Sequence, residues 1–185
     1  MFIFIDGFQT SGKSTLINNC KYKHRRFPFN QYLDLFPLDL NTFQITKDLA
    51  ILFLAEAVKD NIVFDRGPFS TIFYSLKEDR FGKDTTKIVR RFLGQLKEFP
   101  NCEFVFVKKI NETEVIKREH NDGFDYLNDD DDPQKDVLLD SIIYEAEKVG
   151  IKIHIFENDF SISLKQNYHR FNDLLEELID EHDRD

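Results

Sequence analysis

Residues 1–18 restrict the architecture more than any other stretch of the chain. Met1-Phe2-Ile3-Phe4-Ile5 is short and apolar throughout, the pattern of a strand covered on both faces. Asp6 ends that run, and Gly7-Phe8-Gln9-Thr10-Ser11-Gly12-Lys13-Ser14 follows at once. A helical pattern starts near Lys13. The spacing G-x-x-x-x-G-K-[ST] between a strand and a helix is that of a phosphate-binding loop. Its glycines let consecutive backbone N–H groups turn inward on an oxyanion. In this reading Gly7, Thr10, Ser11, Gly12, Lys13, Ser14 and Thr15 cradle a phosphate chain. Lys13 adds positive charge for the β- and γ-phosphates, the Ser14 hydroxyl meets Mg²⁺, and the helix start directs its dipole at the anion. The plain alternative is a glycine turn with an exposed lysine.

The same alternation continues along the chain. Strand-like runs fall at 2–6, 30–36, 61–65, 103–108 and 151–156. Helical patterns fill 13–24, 43–59, 68–79, 84–98, 111–120, 134–149 and 164–182. Strands alternating with helices predict an α/β fold with a parallel sheet and right-handed crossovers. Ligands then gather at the carboxyl ends of the strands. The 185 residues show no linker or repeat, so one domain over 1–185 is expected.

Net charge bounds the partners. A net charge of −9 argues against tight electrostatic binding to a nucleic-acid backbone, which needs a basic face, without removing nucleic acid or a local basic pocket. Cys20 and Cys102 have no metal-ligand spacing and fit a reducing compartment. No apolar run reaches the roughly 18 residues of a membrane span. The apolar start lacks a basic leader and meets Asp6, so it reads as a strand rather than a signal peptide. A cytoplasmic protein is expected. Its abundance of Phe, Ile, Asn, Asp and Lys points to an AT-rich genome, with a virus acting in host cytoplasm as one source. Association into a homodimer stays open.

The residues with chemical potential sit mostly after the strands. Asp6 is either a turn former or a carboxylate beside Mg²⁺ or the acceptor. Asp65, after Phe64, can hold Mg²⁺, and Arg66 can grip an acceptor phosphate with its planar fork. The alternative is a structural Asp–Arg pair at a helix entrance. Lys117, Arg118, Glu119 and His120 lead into a polar loop, and residues 117–133 read as a lid in which Arg118 offsets charge on the transferring group. Arg90 and Arg91 share a predicted helix, where Arg91 is the candidate for reaching the acceptor. Phe36, Asp39, Phe43 and Gln44 could line the acceptor pocket, with aromatics stacking on a base and Gln44 bonding to its edge. Lys23 to Arg26 reads as a solvated basic patch. Asp129 to Asp132 lacks the glycine and distal glutamate of a calcium loop, and the scattered histidines show no zinc spacing.

In this order the parts resemble the P-loop nucleoside and nucleotide kinases, thymidylate kinases and deoxynucleoside kinases in particular. The resemblance runs from Phe4-Ile5-Asp6-Gly7 through Ser14-Thr15, takes in Asp65-Arg66-Gly67-Pro68-Phe69-Ser70 and Tyr74, and ends at Lys117 to Asp125. It implies a three-layer P-loop NTPase fold, with a five-stranded parallel sheet, flanking helices and an arginine-bearing lid. It also implies ATP and Mg²⁺, and a (deoxy)nucleoside or its monophosphate as acceptor. In that scheme Lys13, Arg66, Arg118 and Asp6 serve catalysis, and Ser14 and Asp65 hold the metal. The chain departs from the family at Phe36, which stands before Pro37 where a carboxylate is common. Two other readings remain on the residues alone. One is a P-loop kinase acting on a modified base in DNA, a polynucleotide end or a small metabolite. The other is a nucleotide-binding regulatory module without catalysis.

Overall fold

A computed structural model describes residues 1–8, 11–26, 40–111 and 134–184, without the side chains of Leu40, Asn41 and Phe43. The order is β1 (Phe2–Gly7), α1 (Lys13–Asn18), β2 (Lys23–Arg26), α2 (Leu40–Ala55), β3 (Ile62–Asp65), α3 (Pro68–Lys77), α4 (Thr85–Leu96), β4 (Cys102–Ile110), α5 (Lys135–Lys148), β5 (Ile153–Asp159) and α6 (Leu164–His182). The five strands form one sheet in the order β2-β3-β1-β4-β5. Every neighbouring pair is parallel. The expected α/β architecture with five parallel strands is therefore present.

The period-2 alternation of β1 sorts the core. Phe2 and Phe4 face one side, Ile3 and Ile5 the other. Register places Phe4 opposite both Phe64 and Phe104. The three rings stack across the strands, at 5.3 Å from Phe4 to Phe64 and 5.8 Å from Phe4 to Phe104. This aromatic face is covered by α2, α3, α4 and α5, through residues such as Leu52, Ile72, Leu93 and Ile142. Ile3, Ile5, Val63, Val105 and Val107 make the opposite face, where Leu16, Ile17, Phe171 and Leu175 of α1 and α6 pack. Because β1 is covered on both sides, Phe2 to Ile5 are 2% exposed or less, which is why the sequence shows an unbroken apolar run there.

The α6 start is set locally. Ser163 accepts from the Gln166 N–H, and the Gln166 side chain returns a bond to the Ser163 N–H, a reciprocal capping box. The helix then spans Leu164–His182, the range that periodicity predicts.

One predicted element is different. The helix expected over 13–24 stops at Asn18, and Lys23–Arg26 forms edge strand β2 beside β3. Asn19 turns its Nδ2 back onto the Thr15 carbonyl at 2.8 Å, closing the helix. The backbone of 23–26 then pairs in register with Ile62–Asp65, which no local helical turn can match once the chain has reached the sheet edge. The strand expected at 30–36, the helix at 111–120 and the lid at 117–133 lie outside the described residues. No helix among the described residues is long and apolar enough to cross a membrane.

Candidate active site

β1 delivers the glycine loop to the carboxyl edge of the sheet. A Cβ on Gly7 would lie 2.8 Å from the Val107 carbonyl oxygen and 2.9 Å from Ser11 Oγ, so the close turn excludes a side chain. Gly12 has φ 77°, and a Cβ there would lie 2.4 Å from Asn158 Nδ2. Both glycines are dictated by this geometry rather than by solvent exposure. The loop is also anchored from outside. Phe8 is buried, with edge-on contacts to Phe73 at 5.2 Å and Phe106 at 5.0 Å. Asn158, at the end of β5, donates from Nδ2 to the Ser11 carbonyl at 2.8 Å. Ser11 Oγ is buried without a hydrogen-bond partner among the described residues, an orphan hydroxyl inside the loop.

Lys13 and Ser14 converge on the end of β3. Lys13 Nζ lies 3.2 Å from Asp65 Oδ1, and Ser14 Oγ lies 3.1 Å from Asp65 Oδ2. Lys13 is 8% exposed. Burial pushes its pKa below the usual lysine value, the Asp65 charge opposes that shift, and the positive field of Arg66 adds to it.

Asp6 fixes the turn that follows Asp65. It is 1% exposed and accepts from the N–H of Gly67 at 2.8 Å, the N–H of Phe69 at 3.2 Å and the hydroxyl of Ser70. The carboxylate thus caps α3 from a neighbouring strand, in place of Gly67, which has no side chain to do so. A Cβ at Gly67 would come within 2.6 Å of Phe4 Cβ. With Gly67 pressed on Phe4 and Arg66 N–H bonded to the Ile5 carbonyl at 3.0 Å, Arg66 is held at φ 75°. A non-glycine residue there costs on the order of 1 kcal/mol, and such strain concentrates at functional sites. Both Asp6 oxygens are thus engaged by donors at the start of α3.

The whole architecture has counterparts among solved structures. A deoxyadenosine kinase from M. mycoides with bound dATP matches with TM-score 0.54 and 18% identity, over 95% of this chain and 100% of that one. The same enzyme with dCMP and a flexible dCDP bound matches with TM-score 0.54 and 16% identity, over 96% of this chain and 100% of that one. The chain has the fold of a P-loop nucleoside kinase. No protein-family model matches the sequence, and no curated protein matches it either.

Within this kinase fold the predicted residues separate into groups. Gly7, Ser11, Gly12, Lys13, Ser14, Asp65 and Arg66 gather at the carboxyl edge of β1 and β3, and Thr15 follows in α1. Gln44 sits on α2, where its Oε1 accepts from Arg80 Nη1 at 2.7 Å. Phe43 belongs to the same helix. Arg91 is exposed on α4 and shares none of the contacts around Asp65, while its neighbour Arg90 pairs with Glu145 of α5 at 3.4 Å. Thr10, Phe36, Asp39 and Arg118 lie outside the described residues. Sequence reasoning missed Asn158 as the loop clamp. The signal was partial: Asn158 lies two residues past the predicted strand 151–156, at the strand end where ligands collect. It also missed Arg26, whose Nε lies 3.7 Å from Asp65 Oδ2.

Proposed function

We propose that the protein is an ATP- and Mg²⁺-dependent phosphotransferase acting on a (deoxy)nucleoside or its monophosphate, similar to thymidylate kinase. The observation that carries this reading is the convergence of Lys13, Ser14 and Asp65 at one point beside the glycine loop. A hydroxyl and a carboxylate 3.1 Å apart are hard oxygen donors of the kind Mg²⁺ takes, so Ser14 and Asp65 fit the ion. When bound, Mg²⁺ supplies charge neutralisation for the β- and γ-phosphates.

The remaining work falls to the chain. Loop N–H groups and the Ser11 hydroxyl bind phosphate oxygens. Lys13 swings from Asp65 to the γ-phosphate, and its partial desolvation strengthens that contact. Phe160 is 45% exposed, and its ring comes within 3.7 Å of the position a Gly12 Cβ would take, so it offers an apolar face to the donor base. Arg66, whose backbone is held at φ 75° beside Asp65, is the residue this scheme gives to the acceptor. Phosphoryl transfer relies on such positioning and on electrostatics more than on covalent chemistry. Arg118, from the segment 117–133, closes over the γ-phosphate in this scheme.

The test is transfer from γ-labelled ATP with Mg²⁺ to a panel of nucleosides, nucleoside monophosphates, DNA and small metabolites. Label on a nucleoside or a monophosphate supports the proposal. Label confined to DNA or to a metabolite would replace the acceptor, and nucleotide binding without transfer to any acceptor would reject catalysis.

A further inference from the structure

β2 carries Lys23, His24, Arg25 and Arg26, all exposed. Positive charge on an edge strand discourages pairing with other chains, which accounts for a basic strand but not for where this one ends. Parallel register sets Arg26 opposite Asp65. The Arg26 side chain is 66% exposed, with Nε 3.7 Å from Asp65 Oδ2. Asp65 already has Lys13 and Ser14 as hydrogen-bond partners, so Arg26 is not needed to satisfy it. With Nε at 3.7 Å and the guanidinium largely in solvent, the Arg26 side of this contact is weak. Arg26 is therefore loosely held, at the mouth of the site, with most of its surface in solvent.

Strand order gives the direction. In β2-β3-β1, Arg26 stands two strands from the glycine loop. With strands about 4.8 Å apart, that places its backbone roughly 10 Å to the side of β1. Arg66 lies between. Asp65 thus has Lys13 and Arg26 beside it, Arg66 follows it in the chain and acts on Lys13, and the Asp6 carboxylate is taken up by donors at the start of α3. The cluster holds surplus positive charge within a chain of net charge −9. The loop and Lys13 match the donor. The two arginines match a second anion.

We infer that Arg26 binds the phosphate of an acceptor that already carries one, which makes the acceptor a nucleoside monophosphate; this rests on the kinase reading above. The bond between the γ-phosphorus and the β–γ bridging oxygen breaks, and its electron pair leaves on ADP. An oxygen of the acceptor phosphate forms the new bond, giving a nucleoside diphosphate. That oxygen needs no base, because the second ionisation of a phosphate monoester lies near pH 6. The occupied carboxylate of Asp6 agrees with such an acceptor.

The experiment measures initial rates from ATP and Mg²⁺ to the four deoxynucleosides, their 5′-monophosphates and a 5′-phosphorylated oligonucleotide, for wild type and Arg26→Ala. Expected are label on one or more free monophosphates and a KM for that acceptor raised about tenfold or more in the variant, the loss of one charge-assisted bond. KM for ATP and the melting temperature stay near wild type, and Arg26→Lys recovers part of the acceptor affinity. A merely structural Arg26 would move ATP affinity and melting temperature instead, which overturns the inference. Label on nucleosides alone also overturns it and leaves the kinase reading standing. Label on the oligonucleotide alone overturns the mononucleotide assignment. Transfer to no acceptor removes both.

Discussion

Lys13 and Asp65 form a buried ion pair, Nζ to Oδ1 at 3.2 Å, with side chains 9% and 6% exposed. It joins the start of α1 to the end of β3, and in the proposed function it occupies the positions that the nucleotide and its metal take. Binding must exchange this pair for ligand contacts. Lys13→Ala therefore leaves Asp65 with Ser14 and the outlying Arg26, and should cost about 1–3 kcal/mol of stability from a carboxylate left short of a partner. Adding Asp65→Asn should return part of that loss. Chemical denaturation of the two variants checks this; equal stability of Lys13→Ala and wild type would mean the pair contributes nothing.

Asp6→Asn separates capping from proton abstraction. The amide has one acceptor oxygen for three α3 donors, so stability should fall by about 1–2 kcal/mol. In a chain of this size that is a decrease of roughly 2–8 °C in melting temperature. A variant that melts like wild type yet transfers no phosphoryl group would identify Asp6 as the base instead.

Asn158→Ala tests the clamp on the loop. Without Nδ2, the Ser11 carbonyl loses its bond to β5 and the loop its fixed path. ATP affinity should drop about tenfold, the equivalent of one buried hydrogen bond. Titration calorimetry with ATP and Mg²⁺ reads it directly, and unchanged affinity would show that the loop keeps its shape without the clamp.

Asp48 gives the fold a pH dependence. It is 1% exposed on α2, accepts from Thr71 Oγ1 at 2.5 Å, and has Lys47 Nζ 3.0 Å from its other oxygen. Burial raises its pKa above the usual carboxylate value, with Lys47 opposing. The folded state then holds a proton that the unfolded chain has already lost. Stability from this group is fully present below the unfolded pKa of about 4 and declines as pH rises through the raised folded value. Asp48→Asn should flatten that decline, and gain on wild type as pH rises above the unfolded carboxylate value. Parallel stability profiles for the two proteins would contradict it.

The sequence made some parts of this site readable and hid others for physical reasons. Gly7 to Ser14 was readable because the loop's glycines are demanded by contacts of less than 3 Å, and only glycine satisfies them. The run Ile62-Val63-Phe64-Asp65 was readable because a strand buried on both faces loses its alternation. β2 was not, since Lys23 to Arg26 has no apolar periodicity and owes its extension to pairing with β3. Asp6 was ambiguous in isolation. Its role depends on Gly67, Phe69 and Ser70, which are more than 60 residues away in sequence. Asn158 needed the fold to bring β5 to the loop. The Phe36 and Asp39 side of the acceptor pocket falls outside the described residues.

The account rests on Lys13 acting on a transferable phosphoryl group beside Asp65. The most direct measurement compares label transfer from γ-labelled ATP by wild type and Lys13→Ala, at equal protein and saturating Mg²⁺, against the nucleoside and monophosphate panel. The account predicts transfer by wild type and a rate lower by roughly 10²–10³-fold in the variant, the scale of losing one preorganised charge at the transition state. Equal rates for the two proteins, or no transfer by wild type, would contradict it.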